Sequence, residues 1–167
     1  VGMVIAARSR LDKCIGEGAM GRVYRATQVT LNKPFAIKTL HSHLMGDTDS
    51  HARFANEDHN SASLTHPNVV SVVDYGRTPD NIAFLVMEFV EGKQLEDIIA
   101  EEFPLSRERI IDLTLQVLAA LTEAHGLSIL HRDLKPENII VQELRTHGEL
   151  LKVLDFGIAK LMDEAPG

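Results

Sequence analysis

The segment His131-Arg132-Asp133-Leu134-Lys135-Pro136-Glu137-Asn138, followed further on by Asp155-Phe156-Gly157, holds the densest chemistry in this 167-residue chain. It supplies two carboxylates (Asp133 and Asp155), a lysine (Lys135) and a side-chain amide (Asn138). Carboxylate and amide oxygens are hard donors of the kind a small divalent cation accepts. Lys135 adds positive charge beside them. Any one of these groups alone would be an ordinary solvated loop residue; the set together points to a charged, reactive site.

Working outward, the segment sits between a strong amphipathic pattern and two short strand patterns. Residues 107–125 place Ile110, Ile111, Leu113, Thr114, Val117, Leu118 and Leu121 on a broad apolar face of a helix. Ser106 precedes it as an N-cap and Gly126 succeeds it as a C-terminal stop. Strands are expected at residues 139–141 and 151–154. The style of the chain changes near Gly92: residues from Leu95 onward turn helical, and those before Gly92 are rich in strands. Residues 11–40 read as three strands, with turns at Gly16–Gly21 and at Asn32-Lys33-Pro34. Residues 69–75 and 82–89 read as a pair around Pro79-Asp80-Asn81. Between these groups, residues 51–64 carry a thin helical stripe, closed by His66-Pro67-Asn68 because proline disfavours helix in the residue before it.

Gly16-Glu17-Gly18-Ala19-Met20-Gly21 has the spacing G-x-G-x-x-G. In a dinucleotide-binding fold that spacing opens a helix. Here Arg22-Val23-Tyr24-Arg25-Ala26-Thr27 reads as a strand, so the glycines join two strands, where a loop can fold over phosphates and offer backbone N–H groups. A ligand-free hairpin remains open for this motif taken alone. Phe35-Ala36-Ile37-Lys38 puts a lysine on an apolar strand, with Ala36, Lys38 and Leu40 on one face and Phe35, Ile37 and Thr39 on the other. A lysine buried there requires an anionic partner.

Taken in order, the glycine loop, the strand lysine, His131-Arg132-Asp133 and Asp155-Phe156-Gly157 closely resemble the eukaryotic-like, bacterial-type protein serine/threonine kinases, over nearly the whole chain. The resemblance implies an α+β, two-lobe fold: a β-rich N-lobe with one key helix at about 8–87, a hinge at 88–92 and the first part of a helical C-lobe at 93–167, with the ligand in the cleft between lobes. It implies ATP and Mg2+ as cofactors, and protein Ser/Thr hydroxyls as substrates. Asp133 would orient the hydroxyl and accept its proton, and Lys135 would add charge near the transferred phosphoryl group, in the manner of the Ser/Thr-specific loop. Asn138 and Asp155 would hold Mg2+. Lys38, paired with Glu57, would hold the α- and β-phosphates. Gly16, Glu17, Gly18 and Gly21 would cover the phosphates, with Ile15, Val23, Ala36 and Ile140 sandwiching the adenine ring. Met87 would be the gatekeeper, and the backbones of Glu88 and Val90 would meet the adenine edge.

Composition narrows the alternatives. The net charge of −7, from 24 acidic against 17 basic residues, argues against a general nucleic-acid binder. Cys14 is the sole cysteine, so no internal disulfide forms and a cytoplasmic setting is expected; Cys14 itself reads as a plain strand residue. No apolar run reaches the length of a membrane span, and residues 1–7 lack the features of a signal peptide. The eight histidines match no zinc spacing.

The pattern departs from the family in three places. Ser61 stands where many kinases carry an apolar residue aligned with Phe156 and His131. The stretch between Asn138 and Asp155 is long, with a hairpin insertion at 143–149. Residues 158–167 contain no Ser, Thr or Tyr to receive a phosphate facing Arg132, and no A-P-E motif is present. The expectation is a piece of a catalytic domain, with an ATP-binding but inactive module or a partner-binding remnant as alternatives, and with the apolar face of Ile110, Leu113, Val117 and Leu121 uncovered.

Overall fold

A computed structural model of the chain describes residues 4–5, 9–18, 21–30, 32–40, 64–145 and 148–156. The expected helix at 51–64 falls almost wholly outside them; Leu64, which is described, is not helical. The described residues divide into two compact units, one drawn from those up to 40 and from 71–89, the other from 64–70 and from 90 onward.

The first unit is a six-stranded antiparallel sheet of order β1-β2-β3-β4-β6-β5. Its strands are β1 (Val4–Ile5), β2 (Ser9–Gly18), β3 (Gly21–Gln28), β4 (Lys33–Leu40), β5 (Val72–Arg77) and β6 (Ala83–Glu88). The turns are those the sequence signals. Asn32 takes a left-handed conformation (φ 51°) between β3 and β4, as does Asn81 (φ 63°) between β5 and β6, a conformation asparagine tolerates better than most residues. β1 was not expected, and β5 starts at Val72 rather than Val69. Leu11, Ala26, Ile37, Phe84 and Val86 form a core on one face, with Tyr24 and Phe35 packed against it. Strand alternation therefore sends Val23, Ala36, Lys38 and Met87 to the opposite face.

The second unit contains β7 (Lys93–Gln94), α1 (Leu95–Glu102), α2 (Arg107–Gly126), a single 3-10 turn (Pro136–Asn138), β8 (Ile139–Glu143) and β9 (Glu149–Val153). Strands β7, β8 and β9 make a three-stranded antiparallel sheet. The hairpin expected at 143–149 is present, its register running from Ile139 opposite Val153 to Glu143 opposite Glu149. Gly92 allows the chain to approach β8 closely, since a Cβ there would overlap the carbonyl oxygen of Val141.

Helix α2 begins as expected, with Ser106 Oγ accepting the N–H of Arg109 at 3.2 Å. It runs one residue further than expected: Gly126, read as the stop, is still helical, Leu127 is the C-cap, and Ser128 takes a left-handed conformation (φ 59°). Its packing also corrects the expected face. Leu113, Ala120 and Ala124 are buried and Val117 and Leu121 pack against the same core, together with Ile98, Ile129, Ile139, Val141, Leu151, Val153 and Phe156. The exposed apolar side chains are Ile110, Ile111, Leu115 and Leu118. Of the stripe expected to lie open, Leu113, Val117 and Leu121 pack in the core with β8 and β9, and Ile110 stays exposed.

Candidate active site

In the sheet unit, β2 and β3 close at Gly18 opposite Gly21; Ala19 and Met20 at the tip lie outside the described residues. Glu17 faces Arg22 across the hairpin, and its carboxylate, 3.0 Å from the guanidinium, raises the arginine pKa. Gly21 (φ 152°) cannot carry a side chain, because a Cβ would overlap the carbonyl oxygen of Thr39 on β4. Ile15 sits in a β-bulge between Cys14 and Gly16 and is exposed. Cys14 is exposed as well.

The register then brings distant positions side by side. Gly16 lies opposite Val23, Val23 opposite Lys38, and Ala36 opposite Met87. Directly opposed residues share a face, so Val23, Ala36, Lys38 and Met87 form one contiguous surface. Lys38 is only 7% exposed on that surface and is engaged in an interaction. Its expected partner Glu57 lies outside the described residues. The N–H of Glu88 donates to the carbonyl of Ser71 at 3.0 Å, and its carboxylate accepts the N–H of Ser71 at 2.8 Å. Any contact from Glu88 to a ring edge therefore falls to its carbonyl oxygen.

In the second unit, the loop before β8 folds around Asp133. Lys135 Nζ stands 3.1 Å from Asp133 Oδ2, and Asn138 Nδ2 donates to the same oxygen at 3.1 Å. The hydrogen bond from the lysine ammonium holds the Asp133 carboxyl below the usual carboxylate range; desolvation opposes it, and the Asn138 amide adds a smaller lowering effect. Lys135 is pushed up in turn, chiefly by Asp133. Asp133 stays about half exposed, so the charge is stabilised and accessible together.

His131 anchors this loop from below. It is buried, its Nε2–H donates to the carbonyl of Leu154 at 2.7 Å, and its Nδ1 accepts the N–H of Asp133 at 3.3 Å. A carbonyl only accepts, so the bond to Leu154 places a proton on Nε2. The ring also meets Phe156 edge-on, with centroids 4.6 Å apart. Leu154 donates its N–H to the Asn138 carbonyl at 2.8 Å, so the residue before Asp155 is held by both ends of the loop. Asp155 is next, with φ 68°, a strained conformation for a residue bearing a side chain. Gly157 lies outside the described residues. Ile140 is on β8 and half-buried, and Val90 is buried.

The protein kinase domain family model matches residues 9–166. The chain belongs to the protein kinase family. It is 45% identical over 163 residues to serine/threonine-protein kinase pkn3 of Myxococcus xanthus, covering 98% of this chain and 30% of that protein. It is 37% identical to serine/threonine-protein kinase PrkC of Bacillus subtilis, covering 95% and 24%. The crystal structure of the Mycobacterium tuberculosis PknI kinase domain is similar with a TM-score of 0.76 and 28% identity, covering 94% of this chain and 62% of that one. The kinase chain thus spans under a third of either curated relative. Its α+β fold is of the protein kinase type, as expected, and family membership carries the general use of ATP and Mg2+. No helix among the described residues is long and apolar enough to cross a membrane.

Two polar residues of α2 with partners far along the chain were not singled out from the sequence. Arg109 and Gln116 stand in line with Leu113, Ala120 and Ala124 at spacings of three and four, which puts two polar side chains on the buried stripe of α2. A polar residue interrupting such a stripe is the signal that could have found them. Arg109 binds both carboxylate oxygens of Glu149, at 2.9 and 2.7 Å, and reaches Glu102 at 2.5 Å.

Proposed function

We propose that this kinase domain transfers a phosphoryl group from Mg-ATP to Ser or Thr hydroxyls of protein substrates. The observation that carries this reading is the Asp133 carboxylate, ionised, half exposed and held between Lys135 Nζ and Asn138 Nδ2. Asp133 orients the incoming hydroxyl and accepts its proton, while Lys135 offsets charge on the transferred group. Lys38, kept on the surface shared with Val23, Ala36 and Met87, binds the α- and β-phosphates, paired with Glu57. Gly16, Glu17, Gly18 and Gly21 cover the phosphates through their backbone. Ile15, Val23, Ala36 and Ile140 enclose the adenine, Met87 is the gatekeeper, and the carbonyl of Glu88 and the backbone of Val90 meet the ring edge.

The donor set fits Mg2+. Both acceptors of Asn138 Nδ2 lie on Asp133, so the NH2 end is assigned and Oδ1 is the end left to serve as a ligand, beside the carboxylate of Asp155. When bound, Mg2+ would neutralise phosphate charge. Residues 8–87, 88–92 and 93–167 keep the lobe and hinge assignments of the family, and the lone cysteine favours a cytoplasmic setting.

The test uses the full-length protein, with Asp133→Asn as the variant. Transfer from ATP to a Ser/Thr-containing protein is expected to fall by roughly 10^2- to 10^4-fold while nucleotide affinity is kept. Substantial transfer by the variant would overturn the role of Asp133. ATP binding with no transfer in the wild type would favour the inactive-module reading.

A further inference from the structure

Strand β9 is paired with β8 on one side only, yet the backbone groups of its other edge are matched without a neighbouring strand. Gln116 Nε2 donates to the carbonyl of Glu149 at 3.1 Å, and its Oε1 accepts the N–H of Leu151 at 2.7 Å. The carbonyl of Leu151 accepts Asn68 Nδ2 at 2.8 Å. The N–H of Val153 donates to the Asn68 carbonyl and the Val153 carbonyl accepts the N–H of Val70, both at 2.9 Å. Asn68 Nδ2 also donates to Gln116 Oε1 at 2.8 Å, joining the two amides. Two side-chain amides and a short stretch of backbone thus stand in for a strand.

The placement matters because Leu151 and Val153 are fully buried. Water cannot replace a lost partner there, so removing one leaves a backbone group unsatisfied. Gln116 lies near the middle of the 20-residue helix α2, a rigid support for the strand. One residue past β9 is Leu154, gripped by His131 and Asn138, and the next is Asp155. The bonds of Gln116 fall six and four residues before Asp155, at Glu149 and Leu151, and those of the 68–70 backbone fall two residues before it, at Val153.

We propose that Gln116, with Asn68, is a positioning residue for Asp155: it fixes the outer edge of β9 and through it the oxygen that receives Mg2+. The metal part rests on the phosphotransfer reading above; the strand-edge part does not. Groups behind a metal ligand commonly change metal affinity or activity by about 10- to 100-fold when removed.

The test compares the full-length protein with Gln116→Ala, Gln116→Glu and Ile98→Ala. Ile98 is a buried core residue on α1 that makes no bond to β9, so it controls for loss of stability alone. Two quantities are read: amide hydrogen exchange across residues 149–156, and the Mg2+ concentration that half-saturates binding of a fluorescent ATP analogue. In Gln116→Ala, exchange is expected to accelerate at Leu151 and onward to Asp155, and the Mg2+ midpoint to rise about tenfold. Gln116→Glu keeps both acceptor bonds but turns an oxygen towards the Glu149 carbonyl, so exchange and the Mg2+ midpoint are expected to shift in the same direction as in Gln116→Ala, and it decides the matter if Gln116→Ala does not fold. Ile98→Ala is expected to lower the melting temperature and leave the Mg2+ midpoint in place. A folded Gln116→Ala with a wild-type midpoint, or an equal shift in Ile98→Ala, overturns the proposal. A wild type that binds no Mg-nucleotide overturns the proposed function instead. The strand edge is then judged by exchange, where unchanged protection in Gln116→Ala overturns it.

Discussion

The side-chain amide of Asn138 donates twice to Asp133, to the backbone carbonyl oxygen at 2.8 Å and to carboxylate Oδ2 at 3.1 Å. One side chain therefore orients the proposed base with its nitrogen and is left with its oxygen for an ion. Asn138→Ala removes both functions and is expected to raise the Mg2+ requirement and lower the transfer rate, by about 10- to 100-fold together. Titrating Mg2+ in a steady-state transfer assay reads this directly. A Mg2+ dependence identical to wild type would exclude Asn138 as a ligand.

The pH response of Asp133 is set by its ion pair with Lys135. Its native pKa is depressed, first by the hydrogen bond from Lys135, so folding favours the charged form. The stabilisation is present above the ordinary carboxylate pKa and is lost as pH falls through the depressed native value. Exposure keeps it small. Lys135→Met is expected to move the Asp133 titration upward towards the ordinary range, and the acid limb of activity with it. Carboxyl carbon NMR of the two proteins checks the shift; coincident curves would refute it.

Lys38 is buried on a strand face among apolar neighbours, where an ammonium requires an anionic or hydrogen-bonded partner. Lys38→Met preserves much of the bulk and removes the charge. ATP affinity is expected to fall by roughly 10- to 100-fold, the worth of a charge-assisted hydrogen bond. Calorimetric titration with Mg-ATP measures it. Equal affinities would remove Lys38 from the site.

Two stability changes separate helix capping from core packing. Ser106→Ala deletes the Oγ acceptor for the N–H of Arg109 and is expected to cost about 1 kcal/mol. Leu151→Ala empties a fully buried site between β8 and α2 and is expected to cost about 2–5 kcal/mol. Urea unfolding with unchanged slope reports both, and the reverse ranking would contradict the packing described.

Much of this protein was legible in the chain itself. The turns at Asn32 and Asn81, the N-cap Ser106, the alternation along β4 and the hairpin of β8 and β9 all depend on neighbours a few residues apart. Local sterics and hydrogen bonding act over that range, so sequence alone determined them. The loop from His131 to Asn138 is as local: Lys135 and Asn138 lie two and five residues from Asp133, and both reach it. What only the tertiary structure decided depends on partners far along the chain. Asn68 meets Leu151 across 83 residues and Gln116 across 48, and no periodicity encodes either pairing. The buried side of α2 was misplaced for the same reason: Leu113 and Leu118 are equally apolar, and only the arrival of β9 makes one core and leaves the other 52% exposed. Burial is a property of what packs against a residue, and that is settled only when the chain has folded back on itself.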